Sequence, residues 1–118
     1  MSEKNERAVY QYVYVVYAKK YKDFSSKKGF IKIGRSVEYE RRFTVLERDA
    51  QCEIQPLFLL GLKSRDLAVA VEWYFHNRFK FERVENEWFR YTKGVYSFFN
   101  YNLFMYGDDM THLLDSKE

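Results

Sequence analysis

The chain has 118 residues, 20% of them aromatic (11 Tyr, 11 Phe, 2 Trp), a single proline and a net charge of +3. This length suits one domain, residues 1–118, with its own core, and the apolar content excludes intrinsic disorder. No apolar run is long enough to span a bilayer, the polar stretch Met1–Arg7 is no signal peptide, and one cysteine, Cys52, excludes an intrachain disulfide or a cysteine-rich zinc site.

The expected location is therefore the cytoplasm. Val9 to Tyr17 is β-branched and aromatic with almost no polar interruption, which predicts a strand buried on both faces. Ala18 to Lys28 is a polar loop closed by Gly29, and Phe30 to Gly34 is a second strand able to pair with the first as a long-looped antiparallel hairpin. Ser36 is the expected N-cap of a helix over about Val37 to Arg48, with Tyr39, Phe43 and Leu46 as its apolar stripe. Gln55 to Leu62 reads as a third strand, with Pro56 near its start. Ser64 caps a second helix running to about Phe81, with Leu67, Val71, Tyr74 or Phe75, and Phe79 on its buried face. Glu87 to Tyr91 is a short extended piece. A third, aromatic helix covers about Gly94 to Tyr106, Gly107 ends it, and residues 107–118 read as a frayed tail. The order β-β-α-β-α-α predicts an α/β fold: a small three-stranded antiparallel sheet flanked by helices, with the core at about residues 9–92.

Charge is unevenly spread. Lys19, Lys20, Lys22, Lys27 and Lys28 crowd one loop, Arg35, Arg41, Arg42 and Arg48 follow, and Asp108, Asp109, Asp115 and Glu118 lie near the end. The basic half suits phosphate contacts, with Lys19, Lys20, Lys27, Lys28 and Arg35 as the candidates; a solvated loop is the plainer alternative.

Hydrolysis of a phosphodiester needs a base, positive charge for the transition state and help for the leaving oxygen. Tyr14 and Lys32 can project from neighbouring strands toward one site. A free tyrosine titrates at about 10, and a nearby ammonium would lower that value, so the two form a sensible general-base pair. Gly34 closes the second strand and permits close backbone approach. Arg42 lies on the first helix at i+4 from Glu38, free either to pair with it or to aim its planar fork at a phosphate. Glu72 and His76 lie one helical turn apart on a partly inward face. Glu72 can hold Mg²⁺ among waters and phosphate oxygens, and His76 can serve Glu72, a phosphate or the tyrosine. A zinc site would need a third ligand such as Glu87.

In this order the pieces resemble the GIY-YIG endonuclease superfamily, most closely its phage-type T5orf172 branch. Tyr12-Val13-Tyr14 stands for the first motif, with Tyr12 in the place of its glycine. Lys32-Ile33-Gly34 stands for the second, with lysine in the place of tyrosine, as is common in that branch. Arg42 with Leu46, Glu72 with His76 and Phe79, and Glu87-Trp88-Phe89 complete the resemblance over roughly Tyr12 to Tyr91. The resemblance implies a catalytic set of Tyr14, Lys32, Arg42, Glu72 and His76. Tyr14 would be the base or part of its relay, Lys32 would tune it or bind phosphate, and Arg42 would stabilise the transition state. Glu72 would hold a single Mg²⁺ or Mn²⁺. Family members also carry an asparagine beyond the metal glutamate; Asn86 or Glu87 stands in that place here.

The implied function is a metal-dependent DNA endonuclease or nickase of a phage or other mobile element, acting inside a bacterial host in homing, interference or defence. The alternative is a catalytically inactive module of the same fold that binds nucleic acid or a protein. With no room for a separate DNA-binding domain, specificity would come from the lysine loop, the aromatic helix, a homodimer or a partner protein. One active site cuts one strand, so a monomer would nick.

Overall fold

A computed structural model describes residues 10–50 and 52–116, with side chains through Leu114. Val9, expected to open the first strand, and residues 117–118 of the expected tail lie outside the described residues.

The elements in chain order are β1 (Gln11–Ala18), β2 (Phe30–Ser36), α1 (Tyr39–Ala50), β3 (Ile54–Leu62), α2 (Arg65–Arg78), β4 (Arg83–Glu85), β5 (Trp88–Arg90), α3 (Lys93–Asn102) and β6 (Asp108–Asp109). Short 3-10 turns occupy Lys80–Glu82, Leu103–Met105 and Thr111–Ser116. The strands form one antiparallel sheet in the order β4-β5-β2-β1-β3-β6.

The expected three-stranded sheet is therefore half of the observed one. β2, β1 and β3 are its long centre. β4, β5 and β6 extend it with two or three residues each; β5 is the extended piece expected over Glu87 to Tyr91, and β4 and β6 are too short for an alternating pattern to register in the sequence. The β4–β5 hairpin turns on Asn86, whose φ of 53° is a left-handed conformation that asparagine tolerates.

β1 is buried on both sides because successive side chains alternate between faces. Tyr14, Val16 and Ala18 join Phe30, Leu46, Leu59 and Trp88 under α1. Val13 and Val15 join Ile31, Ile33 and Leu60 under α2 and α3, which contribute Ala68, Phe75, Val95, Phe98 and Phe99, with Phe79 just past the end of α2. Pro56 is accommodated by a register shift: Val15 faces Phe58, but Val16 faces Pro56, leaving Leu57 as the extra residue of a bulge.

Helix ends follow local chemistry. Ser64 accepts from the Leu67 amide at 3.1 Å and Thr92 from the Val95 amide at 3.1 Å; each cap contributes about 1 kcal/mol. Ser36 does not cap α1 directly. It accepts from the Glu38 amide two residues on, and α1 starts at Tyr39 rather than near Val37. α2 ends at Arg78, three residues before its expected end, because the chain tightens into the 3-10 turn at Lys80–Glu82. Leu67, expected in the core, is 53% exposed; the inward line of α2 is Ala68, Phe75 and the following Phe79. α3 is likewise shorter than the expected span to Tyr106, ending at Asn102 before the turn Leu103–Met105.

The tail is not frayed through Ser116. β6 pairs with β3, the Met110 amide donates to the Leu59 carbonyl at 2.8 Å, and the Leu59 amide donates to Thr111 Oγ1 at 3.1 Å. Met110, Leu113 and Leu114 then pack on the α1 side of the sheet. Among the described residues no helix is long and apolar enough to cross a membrane.

Candidate active site

The outer edge of β2 is where side chains from both faces of the sheet can meet. β5 covers that edge only along Phe30, Ile31 and Lys32. Beyond Lys32, the Ile33 amide donates to the Glu87 carbonyl at 3.1 Å, and His76 Nε2 lies 2.8 Å from the Ile33 carbonyl oxygen. Since a carbonyl only accepts, that ring nitrogen carries the proton.

Tyr14 sits opposite Gly34 in the β1–β2 register. Its ring lies across the glycine: a Cβ placed on Gly34 would fall within 2.6 Å of Tyr14 Cζ. Phe43 of α1 meets the ring edge-on at 5.4 Å between centroids. Only 1% of Tyr14 is exposed, and Arg42, also on α1, donates from Nε to Tyr14 Oη at 3.4 Å. Burial pushes the Tyr14 phenol above its ordinary 10.0; Arg42 opposes that shift, and the charges of Glu87 and Glu72 add to it. The anticipated Tyr14–Lys32 pairing is thus replaced by Tyr14–Arg42. Lys32 faces Val16, two residues along β1, and its ammonium donates to Glu87 Oε1 at 2.6 Å.

Lys32 is the one buried charged side chain among the described residues, 7% exposed. Glu87, from the β4–β5 turn, supplies the compensating charge. On the other face, Arg35 Nε donates to Glu72 Oε1 at 3.3 Å, and His76 Nε2 stands 3.9 Å from Glu72 Oε2. The His76 ring is fixed further by an edge-on contact with Phe89 at 5.0 Å. Burial, then the negative charge of Glu87, pushes the Glu72 carboxyl above the ordinary 4.5, while His76 and Arg35 hold it back.

Tyr14, Lys32, Gly34, Arg35, Arg42, Glu72, His76 and Glu87 are therefore gathered around one sheet edge. Asn86 is exposed in the hairpin turn, and it is Glu87 whose carboxylate reaches the cluster. Lys19, Lys20, Lys27 and Lys28 are exposed in the loop at the far end of β1. A brace that sequence spacing did not reveal holds the Glu87 hairpin. Tyr21 stacks on Trp88 at 4.6 Å, and both Tyr21 Oη and Lys22 Nζ donate to Glu85, at 2.9 and 2.8 Å. Its only sequence signal was the aromatic and lysine content of the loop, since the partners lie more than 60 positions away.

Among the described residues no group of three or more His, Cys, Asp and Glu could hold a metal ion. His76 gives its near nitrogen to a backbone carbonyl, so the zinc arrangement of Glu72, His76 and Glu87 does not fit. A magnesium-type ion fits better, because such an ion takes one carboxylate and keeps water and phosphate oxygens as its other ligands. Glu72 could serve as that carboxylate: its side chain is 15% exposed and lies near the like charge of Glu87.

A family model described as T5orf172 domain matches residues 11–98, from the first residue of β1 into α3. No curated protein and no solved structure matches the chain.

Proposed function

The chain belongs to the T5orf172 domain family, a GIY-YIG-like domain associated with phage-type endonucleases, and from that premise we propose that it hydrolyses phosphodiester bonds in DNA as a metal-dependent nickase. The observation that carries this reading is the convergence of Arg42, Glu72 and Glu87 on the Tyr14 phenol, whose ring lies across Gly34.

Tyr14 is the base. Its raised pKa keeps most of it protonated at neutral pH, and the small phenolate fraction is a strong acceptor. Arg42 Nε donates to the phenol oxygen and stabilises its charge. At 3.4 Å this bond is long, as catalytic hydrogen bonds often are before substrate tightens them. The phenolate takes a proton from water as the water oxygen attacks phosphorus. The phosphorus–oxygen bond to the leaving group breaks, and that oxygen departs with the bonding pair. Arg42 and Arg35 offer planar forks to the non-bridging oxygens. Lys32 adds a fixed positive charge, and Glu87 keeps that ammonium in place. His76 positions Glu72 by anchoring to the Ile33 carbonyl. Glu72 would hold a Mg²⁺ or Mn²⁺ ion, whose chemistry is to polarise the phosphate and to stabilise the leaving oxygen.

The test is conversion of supercoiled plasmid to open circle by purified protein with Mg²⁺ or Mn²⁺. Wild type nicks, and Glu72→Ala, with an unchanged circular dichroism spectrum, does not. One observation favours a second reading, a non-catalytic DNA-binding module: Glu72 is already neutralised by Arg35. DNA binding without cleavage of any substrate, the native genome included, would establish that reading instead.

A further inference from the structure

Three tyrosines line one groove at the end of β1 away from Arg42. Tyr17 comes from β1, Tyr91 follows β5, and Tyr96 lies in the first turn of α3. Their rings are neighbours, at 5.7 Å for Tyr17–Tyr91 and 6.4 Å for Tyr91–Tyr96 between centroids. The groove encloses about 360 Å³ and also carries Lys28 and Lys93. Among the described residues no carboxylate lines it, and neither ammonium is in an ion pair with a described residue.

Two features set this groove apart from ordinary core. Tyr96 is 45% exposed, so its ring is open to a ligand. Tyr17 is held from behind by Gly29, whose φ is +87°; a Cβ there would fall 2.6 Å from the Tyr17 ring. Tyr17 also borders the two adjoining depressions, which bring Lys19, Lys20 and Lys27 to the same end of the sheet. Neutral aromatic faces beside unpaired ammonium groups are the chemistry that recognises an unstacked base with its phosphates. Burial raises the Tyr91 phenol further above its ordinary value, so its ring stays uncharged.

We propose that this groove is a second nucleic-acid site, taking one unpaired base of single-stranded DNA against the tyrosine rings and its flanking phosphates on Lys28 and Lys93. The proposal rests on the reading of the chain as a DNA-acting protein. The volume lies at the lower end for small-ligand pockets, enough for one nucleotide and too little for a duplex. Tyr17 lies three residues from Tyr14 along β1 and therefore on the opposite face of the sheet, so the groove is separate from the cleft around Tyr14.

The experiment is fluorescence anisotropy of the full chain with a labelled oligothymidine of about 12 nucleotides and with a duplex of equal length. Tyr96→Ala is expected to weaken single-strand binding about tenfold, Tyr96→Phe to retain it, and both to bind duplex as wild type does. Lys93→Gln is expected to flatten the dependence of log affinity on log salt by about 0.7 for the single strand. Single-strand affinity unchanged in Tyr96→Ala, or lost equally in Tyr96→Phe, overturns the proposal. Wild-type protein that nicks plasmid while giving that result overturns the groove alone. Wild-type protein that binds neither form of DNA overturns the groove and the DNA reading together.

Discussion

Lys32 is nearly sealed from solvent, and among the described residues Glu87 is its ion-pair partner, at 2.6 Å. Replacing Glu87 by glutamine removes that charge and leaves the ammonium in place. Because the Glu87 side chain is 41% exposed, water recovers part of the loss, and the expected cost is roughly 1–2 kcal/mol in urea denaturation. Arg42→Lys keeps the positive charge but loses the fork that reaches Tyr14, and nicking is expected to slow about 10- to 100-fold with stability nearly unchanged. The Glu72 carboxyl titrates above its ordinary 4.5, and Arg35 is one of the groups holding it down. Arg35→Gln should therefore move the acid limb of the nicking pH profile higher. A limb that stays in place or moves lower would contradict the pairing. The linked stability term has the matching sign. The fold binds the Glu72 proton more tightly than the unfolded chain does, so this contribution is present below the ordinary carboxylate pKa and is lost as pH rises through the folded value.

At the level of elements, Gly34 on β2 leaves the space that the Tyr14 ring fills. Tyr14 is buried and cannot swing aside cheaply. Gly34→Ala should displace it, lowering the nicking rate by at least about tenfold and stability by about 1–3 kcal/mol. Near-wild-type kinetics in that variant would mean that Tyr14 does not need its observed position. The site residues on α1 and α2 were legible in the sequence because helical spacing sets Arg42 and Leu46, or Glu72 and His76, on one face. The partners were not legible. Lys32 and Glu87 are 55 positions apart, and only the β2–β5 register joins them. The expected tyrosine–lysine pair missed because the register sets Lys32 opposite Val16. β5 was legible as the extended piece Glu87 to Tyr91 but not as part of the sheet, and β4 and β6 were hidden by brevity, so a six-stranded sheet read as three. Leu67 was misplaced because apolar residues occur all round α2, with Val69 and Trp73 on its exposed side.

At the scale of the molecule, the sheet divides the core in two, and the segment after Gly107 closes the α1 side. Ending the chain at Gly107 would uncover the outer edge of β3 and remove Met110, Leu113 and Leu114 from that layer. Such a truncation should lower the melting temperature markedly and promote association through the bared strand. An unchanged melting temperature would show that the closing segment is dispensable. The most direct measurement of the proposed chemistry is the first-order rate of plasmid nicking against pH, for wild type and for Tyr14→Phe. Burial raises the Tyr14 phenol above 10.0, so the wild-type rate should climb with pH through neutrality and beyond. Tyr14→Phe should lose about 10²- to 10⁴-fold in rate together with that rise, while retaining its fold. Nicking by Tyr14→Phe at the wild-type rate, with the same pH dependence, would contradict the assignment of Tyr14 as the base.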